Sequence, residues 1–317
     1  MNIAVKATSF MLAALLALGA ATLSAPNKSS RAYLEKKDAP TEEESAQDLT
    51  KLAEDANLRI MTFNVLHEDW AYGTEEDKQL PVKGRDEKVA EFLLTYLPDV
   101  VTFQEFSEEW DKYLPDLIAE KYDFSVIRTY DGRIQSYTCI AYNKDTVKPI
   151  ESGEELMPET KAYHLRSYVY TAFEKLETGE KFVVMSMHPD FDSADQKINV
   201  PQVSRGAELV LELKEKYGCP VITTGDFNTG TKTESFKKFI EISGASDSML
   251  TATDETGVNM KNNSWHPLGE MPPEEANPID HITFTDGLEF KFFNMVISEN
   301  LLSVSDHLPI ICDFKLG

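Results

Sequence analysis

Acidic, amide and imidazole side chains recur at the ends of short apolar segments in this chain. Eight residues share this placement: Asn64, Glu105, His188, Asp226, Asn228, Asp280, Asp306 and His307. Burying an unpaired carboxylate is costly, so acids that converge need a cation or a hydrogen-bond partner. Oxygen ligands from Glu, Asp and Asn suit Mg²⁺ or Mn²⁺, and the lack of paired thiolate or imidazole spacings disfavours zinc. The set therefore predicts a site for a hard cation.

Each of these residues also has a structural interpretation when it is taken alone. Glu105 could be a solvated strand end, the segment 225–228 could form an Asx-type turn, and His188 could be a hydrogen-bonded core histidine. Because ligand sites of α/β proteins collect at the ends of strands, the whole set indicates one site more strongly than any member does.

The segments that must position these side chains alternate between strands and helices from residue 58 onward. Apolar, β-branched and aromatic runs predict strands at 58–65, 99–105, 122–129, 136–143, 167–176, 181–188, 220–226, 279–285, 290–298 and 309–314. Apolar residues at helical spacing predict helices at 89–96, 110–118, 200–217 and 234–242. This pattern predicts an α/β (α+β) domain with two packed mixed β-sheets flanked by helices.

The first 25 residues have the pattern of a secretory signal peptide. Lys6 precedes an apolar stretch from Phe10 to Ala21, and small residues follow. The stretch is short for a membrane span, although an uncleaved anchor is the alternative. We expect cleavage within residues 20–25 and a secreted or extracytoplasmic protein.

Residues 26–57 read as a charged linker, and residues 58–317 as the folded domain. The linker is polar, and the capping-box spacing from Thr41 to Glu44 predicts a short helix within it. No later segment is apolar enough to cross a bilayer after the signal is removed.

The charge balance bears on the partners of the protein. The chain carries 31 Lys and Arg residues against 54 Asp and Glu residues, for a formal net charge of −23. Tight sequence-independent binding of nucleic acid relies on Lys and Arg at the phosphates, so this composition disfavours a nucleic-acid partner. A nuclease that holds its substrate weakly remains compatible with it.

Six motifs in fixed order resemble the endonuclease/exonuclease/phosphatase superfamily, the deoxyribonuclease I-like metallophosphoesterases. They are TFNV (62–65), TFQE (102–105), MHPD (187–190), TTGDFN (223–228), PIDHI (278–282) and SDHLPI (305–310). The resemblance covers residues 58–314. It implies a four-layer α/β sandwich with the site at the top of two facing sheets.

The resemblance also implies a role for each residue. Glu105 would hold the metal, with Asn64 and Asp306 nearby. Asp226 would orient or deprotonate the attacking water, and Asn228 would donate a hydrogen bond to the phosphate. Contacts to phosphate oxygens would come from His188 and His307, with Arg166 as a weaker substrate candidate.

The two Asp-His pairs, 280–281 and 306–307, are expected to contribute unequally. Strand alternation places Asp280 on the face of Ile282 and Phe284, where a carboxylate must be paired. By resemblance its partner is His307, which it would orient as in other acid-histidine dyads. His281 lies on the opposite face and is expected to take no part in catalysis.

One departure from the family pattern concerns the nuclease interpretation. Pancreatic-type deoxyribonucleases carry a Glu that supports the histidine of the MHPD position, whereas this chain has Gln135 and Ser136 there. This difference weakens the case for a nuclease and for His188 as a general acid supported by a carboxylate.

These observations lead to an expected activity. We expect a secreted, monomeric, Mg²⁺- or Mn²⁺-dependent phosphoesterase that acts on a phosphate ester, foremost a diester of a small molecule or lipid headgroup. The alternatives are an extracellular endonuclease or exonuclease on DNA or RNA, a sphingomyelinase-like phospholipase, and a non-catalytic binding module.

Overall fold

The computed structural model describes residues 48–68, 80–125, 138–159, 166–191, 197–274 and 277–317. The signal peptide, the capping-box segment and the positions Gln135 and Ser136 lie outside these residues, so those predictions are not examined by it. The described residues belong to one compact unit, Asp48–Gly317.

Two mixed sheets form the centre of this unit. The first has seven strands in the order β10-β12-β13-β1-β2-β4-β3 and the second has six in the order β5-β6-β7-β8-β11-β9. The strands of the first sheet are β1 (Leu58–Asn64), β2 (Val100–Gln104), β3 (Tyr122–Phe124), β4 (Cys139–Asn143), β10 (Gly257–Val258), β12 (Leu288–Met295) and β13 (Ile310–Leu316). Those of the second are β5 (Val147–Leu156), β6 (Ser167–Lys175), β7 (Lys181–Ser186), β8 (Val221–Asp226), β9 (Ser246–Asp247) and β11 (Asp280–Phe284).

Helices cover the outer face of each sheet. The described helices are α1 (Arg85–Tyr96), α2 (Glu108–Ile118), α3 (Asn199–Tyr217), α4 (Glu234–Ser243), α5 (Ser248–Thr251) and α6 (Glu299–Leu302). One apolar cluster packs the first sheet against α1 and α2, and another packs the second sheet against α3 and α4. A third fills the space between the sheets. The expected four-layer α/β sandwich is therefore confirmed. None of the described helices has the length and apolarity of a membrane span.

Strand alternation explains how the sheets divide their side chains. In β1, Leu58 and Ile60 point into the space between the sheets, whereas Met61 and Phe63 pack on the helices. The same alternation in β8 turns Ile222 inward. Both faces of these strands are buried, which is why their sequences read as nearly continuous apolar runs.

The compact unit extends ahead of the predicted domain boundary at residue 58. The backbone N–H of Ala53 donates to Asp313 Oδ2 at 2.8 Å, and Asn57 exchanges hydrogen bonds with the backbone of Leu316. The end of the charged segment, residues 48–57, thus packs on β13. Its polar residues pair with partners far along the chain, which composition does not show.

Candidate active site

The predicted site residues converge at one end of the two facing sheets. Asn64 and Asp226 end β1 and β8, His188 follows β7, and Asp280 begins β11, which is antiparallel to β8. Each lies an even number of residues from an inward-facing apolar residue of its own strand, so each points between the sheets. His307 precedes β13, which is antiparallel to β1, and joins them there.

A layer of neutral polar side chains lies directly beneath the site. Thr102 and Thr224 are hydrogen-bonded across the two sheets at 2.8 Å, and Gln104 Nε2 donates to Ser186 Oγ at 3.1 Å. Thr62 donates to Gln104 Oε1 at 3.2 Å. The space between the sheets thus changes from apolar to neutral polar to ionisable along the strands, and the polar layer fixes the sheets where the reactive groups stand.

Backbone geometry turns Glu105 toward the same place. Glu105 follows β2 with a positive φ of 55°, which interrupts strand alternation. Its Oε1 accepts from Asn64 Nδ2 at 3.2 Å and its Oε2 accepts from the backbone N–H of His67 at 3.2 Å. Asn64 therefore links this carboxylate to the rest of the site.

Asp226 stands at the centre of the constellation. Its Oδ2 accepts from Asn64 Nδ2 at 3.1 Å and lies 3.4 Å from His188 Nε2 and 3.7 Å from His307 Nε2. Burial, and then the charge of Asp280, raise the pKa of Asp226 to about 7 in the protein alone. A carboxylate with such a pKa can accept a proton near neutral pH, as a general base must.

His307 forms the pair with Asp280 that the motif resemblance implied. Its Nδ1 donates to Asp280 Oδ2 at 2.7 Å, and both side chains are buried. Burial alone would lower the pKa of His307, but the charges of Asp280 and then Asp226 raise it well above its ordinary value. His307 is therefore cationic at neutral pH with Nε2 facing Asp226.

His188 has the opposite electrostatic environment. Burial, followed by the positive charges of Arg166 and His307, lowers the pKa of His188 well below its ordinary value. The neutral ring can donate or accept a hydrogen bond but brings no charge to a phosphate. His188 and His307 therefore differ in charge at neutral pH.

The fit of a divalent cation can be tested at Glu105 and Asp306. Burial, and then the charge of Glu105, raise the pKa of Asp306, so the two carboxylates repel each other. Asp306 accepts from the indole Nε1 of Trp265 at 3.3 Å. A cation between the carboxylates would remove this repulsion, and the oxygen donors of Glu105, Asp306 and Asn64 match the preference of Mg²⁺. The residues present fit the ion.

A second group of potential metal ligands overlaps the site. Asp226, Asp280 and His307 each offer a ligand atom within 4.8 Å of the others. Their arrangement is already explained by hydrogen bonding, because His307 uses Nδ1 for Asp280 and a cationic imidazole is a poor ligand. Of the two places, Glu105 and Asp306 suit the cation better.

Arg166 and Asn228 hold the segment after β7. Arg166 donates to the carbonyl oxygens of His188 and Pro189 at 2.8 and 3.1 Å, and its Nε lies 3.0 Å from Asp190 Oδ1. Asn228 donates from Nδ2 to Pro189 O at 2.9 Å, and its backbone N–H donates to Asp226 Oδ1 at 2.8 Å. These contacts position His188 beside Asp226. The predicted phosphate contacts of Arg166 and Asn228 stay predictions.

Several residues near the site were not singled out by the sequence. His67 Nε2 lies 3.7 Å from Glu105 Oε2, and Trp265 is 42% exposed beside Asp306. The buried Arg85 donates to the carbonyl oxygens of Val65, Leu66 and Val304 at 2.8 to 2.9 Å, which fastens the loops behind the site together. Burial lowers the pKa of Arg85 to about 10, so it remains charged. His67 follows the TFNV motif closely, whereas no sequence signal marks Arg85.

Comparisons with known proteins agree with this geometry. The family model of the Endonuclease/Exonuclease/phosphatase family matches residues 61–307. No curated protein matches the chain. A mannosyl-6-phosphatase of Bacteroides thetaiotaomicron is similar in structure with a TM-score of 0.63 and 20% identity, covering 81% of this chain and 99% of that one.

Two further solved structures share the fold at low identity. The human Nocturnin catalytic domain with bound sulfate has a TM-score of 0.64 and 17% identity, covering 82% of this chain and 94% of that one. D. rerio TDP2 complexed with a single-strand DNA product has a TM-score of 0.58 and 19% identity, covering 81% and 98%. The family match, which spans most of the domain, confirms the resemblance carried by the motifs: the chain belongs to the Endonuclease/Exonuclease/phosphatase family, whose members are metal-dependent phosphoric ester hydrolases.

Proposed function

We propose that the protein is an exported, Mg²⁺-dependent phosphodiesterase that acts on a small molecule or a lipid headgroup. The main observation behind this proposal is that the carboxylate of Asp226 has a pKa of about 7. It lies 3.1 Å from Asn64 Nδ2, 3.4 Å from His188 Nε2 and 3.7 Å from His307 Nε2. A base of this kind can take a proton from the water that attacks phosphorus opposite the leaving oxygen.

The other residues divide the remaining work. Glu105, Asp306 and Asn64 would hold the ion, which when bound supplies positive charge beside the phosphate and the leaving oxygen. The cationic ring of His307 stabilises charge that develops on the phosphate oxygens, and Asp280 keeps the ring oriented. Asn228 and the neutral His188 offer hydrogen bonds to the same oxygens.

The charge of the site favours a diester over a monoester. His188 is neutral, and Arg166 is bound to two carbonyl oxygens and Asp190, which leaves His307 as the main cationic side chain directed at the reacting group. A diester carries one negative charge, which this arrangement balances more closely than the two charges of a monoester. The net charge of −23 likewise favours a compact substrate over a polyanion.

The test is hydrolysis of bis-p-nitrophenyl phosphate by the purified mature protein, with Mg²⁺ or with EDTA. We expect activity that requires the ion and exceeds that on p-nitrophenyl phosphate. Asp226→Ala and His307→Ala should each lower turnover by at least about 100-fold while the fold is retained. Asp254→Ala, which removes an exposed acid, is the matched control.

The rival activities give different results in the same preparation. A nuclease would nick supercoiled DNA in Mg²⁺ at low salt faster than it cleaves the small diester. A sphingomyelinase-like phospholipase would release the phosphorylated headgroup from sphingomyelin vesicles. A binding module would leave all of these substrates intact, and wild-type turnover in both alanine variants would contradict the assignment of the site.

Export is the second part of the proposal. It rests on the apolar stretch from Phe10 to Ala21 that follows Lys6. Mass spectrometry of the protein recovered outside the cytoplasm should place the new N-terminus within residues 21–26. Recovery of the intact first residues in a membrane fraction would support the uncleaved anchor instead. We also propose a monomer, which sedimentation can test.

A further inference from the structure

A second acid-histidine pair lies behind the site, on the helix side of the second sheet. His281 and Asp247 are buried, with exposed fractions of 1% and 4%. His281 Nδ1 lies 3.1 Å from Asp247 Oδ2, and its Nε2 lies 2.9 Å from the carbonyl oxygen of Thr229. The ring packs against Phe227 and Phe236, with centroid distances of 5.0 and 4.4 Å.

Both partners of the His281 ring are hydrogen-bond acceptors. A carbonyl oxygen cannot donate, so Nε2 carries a proton toward Thr229. On the other side of the ring, Nδ1 faces Asp247 Oδ2, which fixes the orientation of the imidazole. The other oxygen of Asp247 accepts from the backbone N–H of Leu250 at 2.9 Å at the start of α5, which in turn fixes the carboxylate.

The pair is connected to the site through one turn. Thr229 follows Asn228, whose positive φ of 51° marks the tight turn after β8. From the inner side the turn is held by the hydrogen bond of 2.8 Å from Asn228 N–H to Asp226 Oδ1. From the outer side it is held by His281. The turn is thus fixed between Asp226 and the buried imidazole of His281.

We infer that His281 is a positioning residue for the proposed reaction. Its Nε2–H holds the carbonyl of Thr229 and so keeps Asn228 and Asp226 in place, while Asp247 fixes the orientation of the ring. The inference rests on the proposed function. It gives a role to His281, for which the sequence analysis expected none.

Two variants separate the hydrogen bonds from the packing. His281→Phe keeps a ring against Phe227 and Phe236 but removes both hydrogen bonds, and should lower kcat on bis-p-nitrophenyl phosphate by roughly 10- to 100-fold with little change in KM. In Asp247→Asn the amide can still pair with Nδ1 while Nε2 donates to Thr229, so kcat should fall less than it does in His281→Phe. Leu213→Ala, a change in the same buried layer, should lower stability without lowering kcat.

A double-mutant cycle tests whether His281 acts through the turn. In an Asn228→Ala background, His281→Phe should cost less activity than it does in the wild type, because one of the two residues that it positions is already gone. An equal fractional loss in both backgrounds would overturn the inference.

Imidazole nitrogen NMR gives a readout that needs no activity. Nε2 of His281 should carry a proton both in the wild type and in Asp247→Asn, because it faces the carbonyl oxygen of Thr229. An unprotonated Nε2 in the wild type would overturn the inference. A wild type without metal-dependent hydrolysis would instead overturn the proposed function, whereas an active wild type and a His281→Phe variant with unchanged kcat would sink the inference alone.

Discussion

At the scale of single residues, the acids of the site set the charge of its histidines. His307 is cationic because Asp280 and Asp226 outweigh the effect of burial on its pKa, whereas burial and the positive charges of Arg166 and His307 lower the pKa of His188 and keep it neutral. Two residues of the same type, about equally buried, therefore offer a phosphate different interactions. The difference lies in their partners, which only the three-dimensional arrangement shows.

The Asp280→Asn variant tests this control of charge. The amide oxygen can still accept from His307 Nδ1, but the negative charge that raises the pKa of His307 is lost. The ring should then lose its proton at a lower pH than in the wild type, so activity should fall by at least about 10-fold near pH 8 and by less near pH 6. The measurement is the pH profile of kcat with Mg²⁺. A profile parallel to that of the wild type would contradict the expectation.

The stability of the metal-free protein tests the raised pKa of Asp226. Its folded-state pKa is about 7 against 3.8 for an ordinary Asp, so between these values the native state holds a proton that the unfolded state has released. Stability is therefore lost as pH rises through this window and stays lost above it. Asn cannot ionise, so Asp226→Asn should be more stable than the wild type by roughly 1 to 4 kcal/mol near pH 8.

Urea unfolding in EDTA measures this difference. The gap between Asp226→Asn and the wild type should close as the pH is lowered toward about 4. An advantage of the same size at both ends of the range would show that the ionisation of Asp226 is not its cause. The same variant should be inactive, because an amide cannot accept a proton from the attacking water.

Which site residues could be found from sequence depends on how near each one lies to a strand end. Asp226 and His307 lie next to apolar runs in the sequence. Strand alternation predicted that Asp280 points into the space between the sheets. Asp247 gave no such signal, since its strand β9 has two residues and its partner His281 is remote in sequence. Strand alternation alone led to the expectation that His281 takes no part in catalysis.

At the scale of elements, four strands that lead into the site share a sequence pattern that predicts the site. Each ends with a hydroxyl residue, any residue, and then an amide, acid or imidazole: TFN at 62–64, TFQ at 102–104, SMH at 186–188 and TGD at 224–226. A period of two puts both polar members on one face. The pattern predicts a polar layer beneath a functional site, as the contact between Thr102 and Thr224 shows.

Gly225 permits β7 and β8 to approach each other at the base of this site. Its φ is 133°, and a Cβ atom there would lie 2.0 Å from the carbonyl oxygen of Met187. Gly225→Ala should therefore lower the free energy of unfolding by about 2 to 5 kcal/mol and reduce kcat, because Asp226 and His188 would be displaced.

A matched glycine isolates the cause of that loss. Gly179 has a φ of 77°, but a Cβ atom there would meet nothing within 4 Å. Gly179→Ala should cost only about 1 kcal/mol of backbone strain and leave kcat unchanged. Chemical denaturation and steady-state kinetics on the two variants make the comparison, and equal losses in both would rule out the close approach as the reason.

The boundaries of the elements were predictable where local pattern decides them. α3 and α4 were expected at 200–217 and 234–242 and are found at Asn199–Tyr217 and Glu234–Ser243. β5 (Val147–Leu156) was missed because it is an exposed edge strand with acidic residues and no apolar alternation. Edge strands depend on pairing with a neighbour, here β6, rather than on their own composition.

At the scale of the whole molecule, the buried ion pairs that stabilise the fold and the proposed active site lie at opposite ends of the sandwich. Arg59 pairs with Asp313 at 2.7 Å and Lys175 pairs with Asp99 at 2.6 Å, all four buried at the end away from the site. These pairs satisfy their charges internally, whereas at the site the charge of Glu105 raises the pKa of the neighbouring Asp306. These two like-charged carboxylates are the part of the molecule that a cation would complete.

The pairing of β1 with β13 has a consequence for the stage of synthesis at which the enzyme can become active. β13 is a central strand, and its register joins Leu58 to Phe314 and Thr62 to Ile310. A nascent chain that lacks these last seven residues of sheet has an open edge beside β1 and no anchor for the preceding His307. Hydrolysis must therefore await the synthesis of β13, and a shorter growing chain cannot attack phosphate esters.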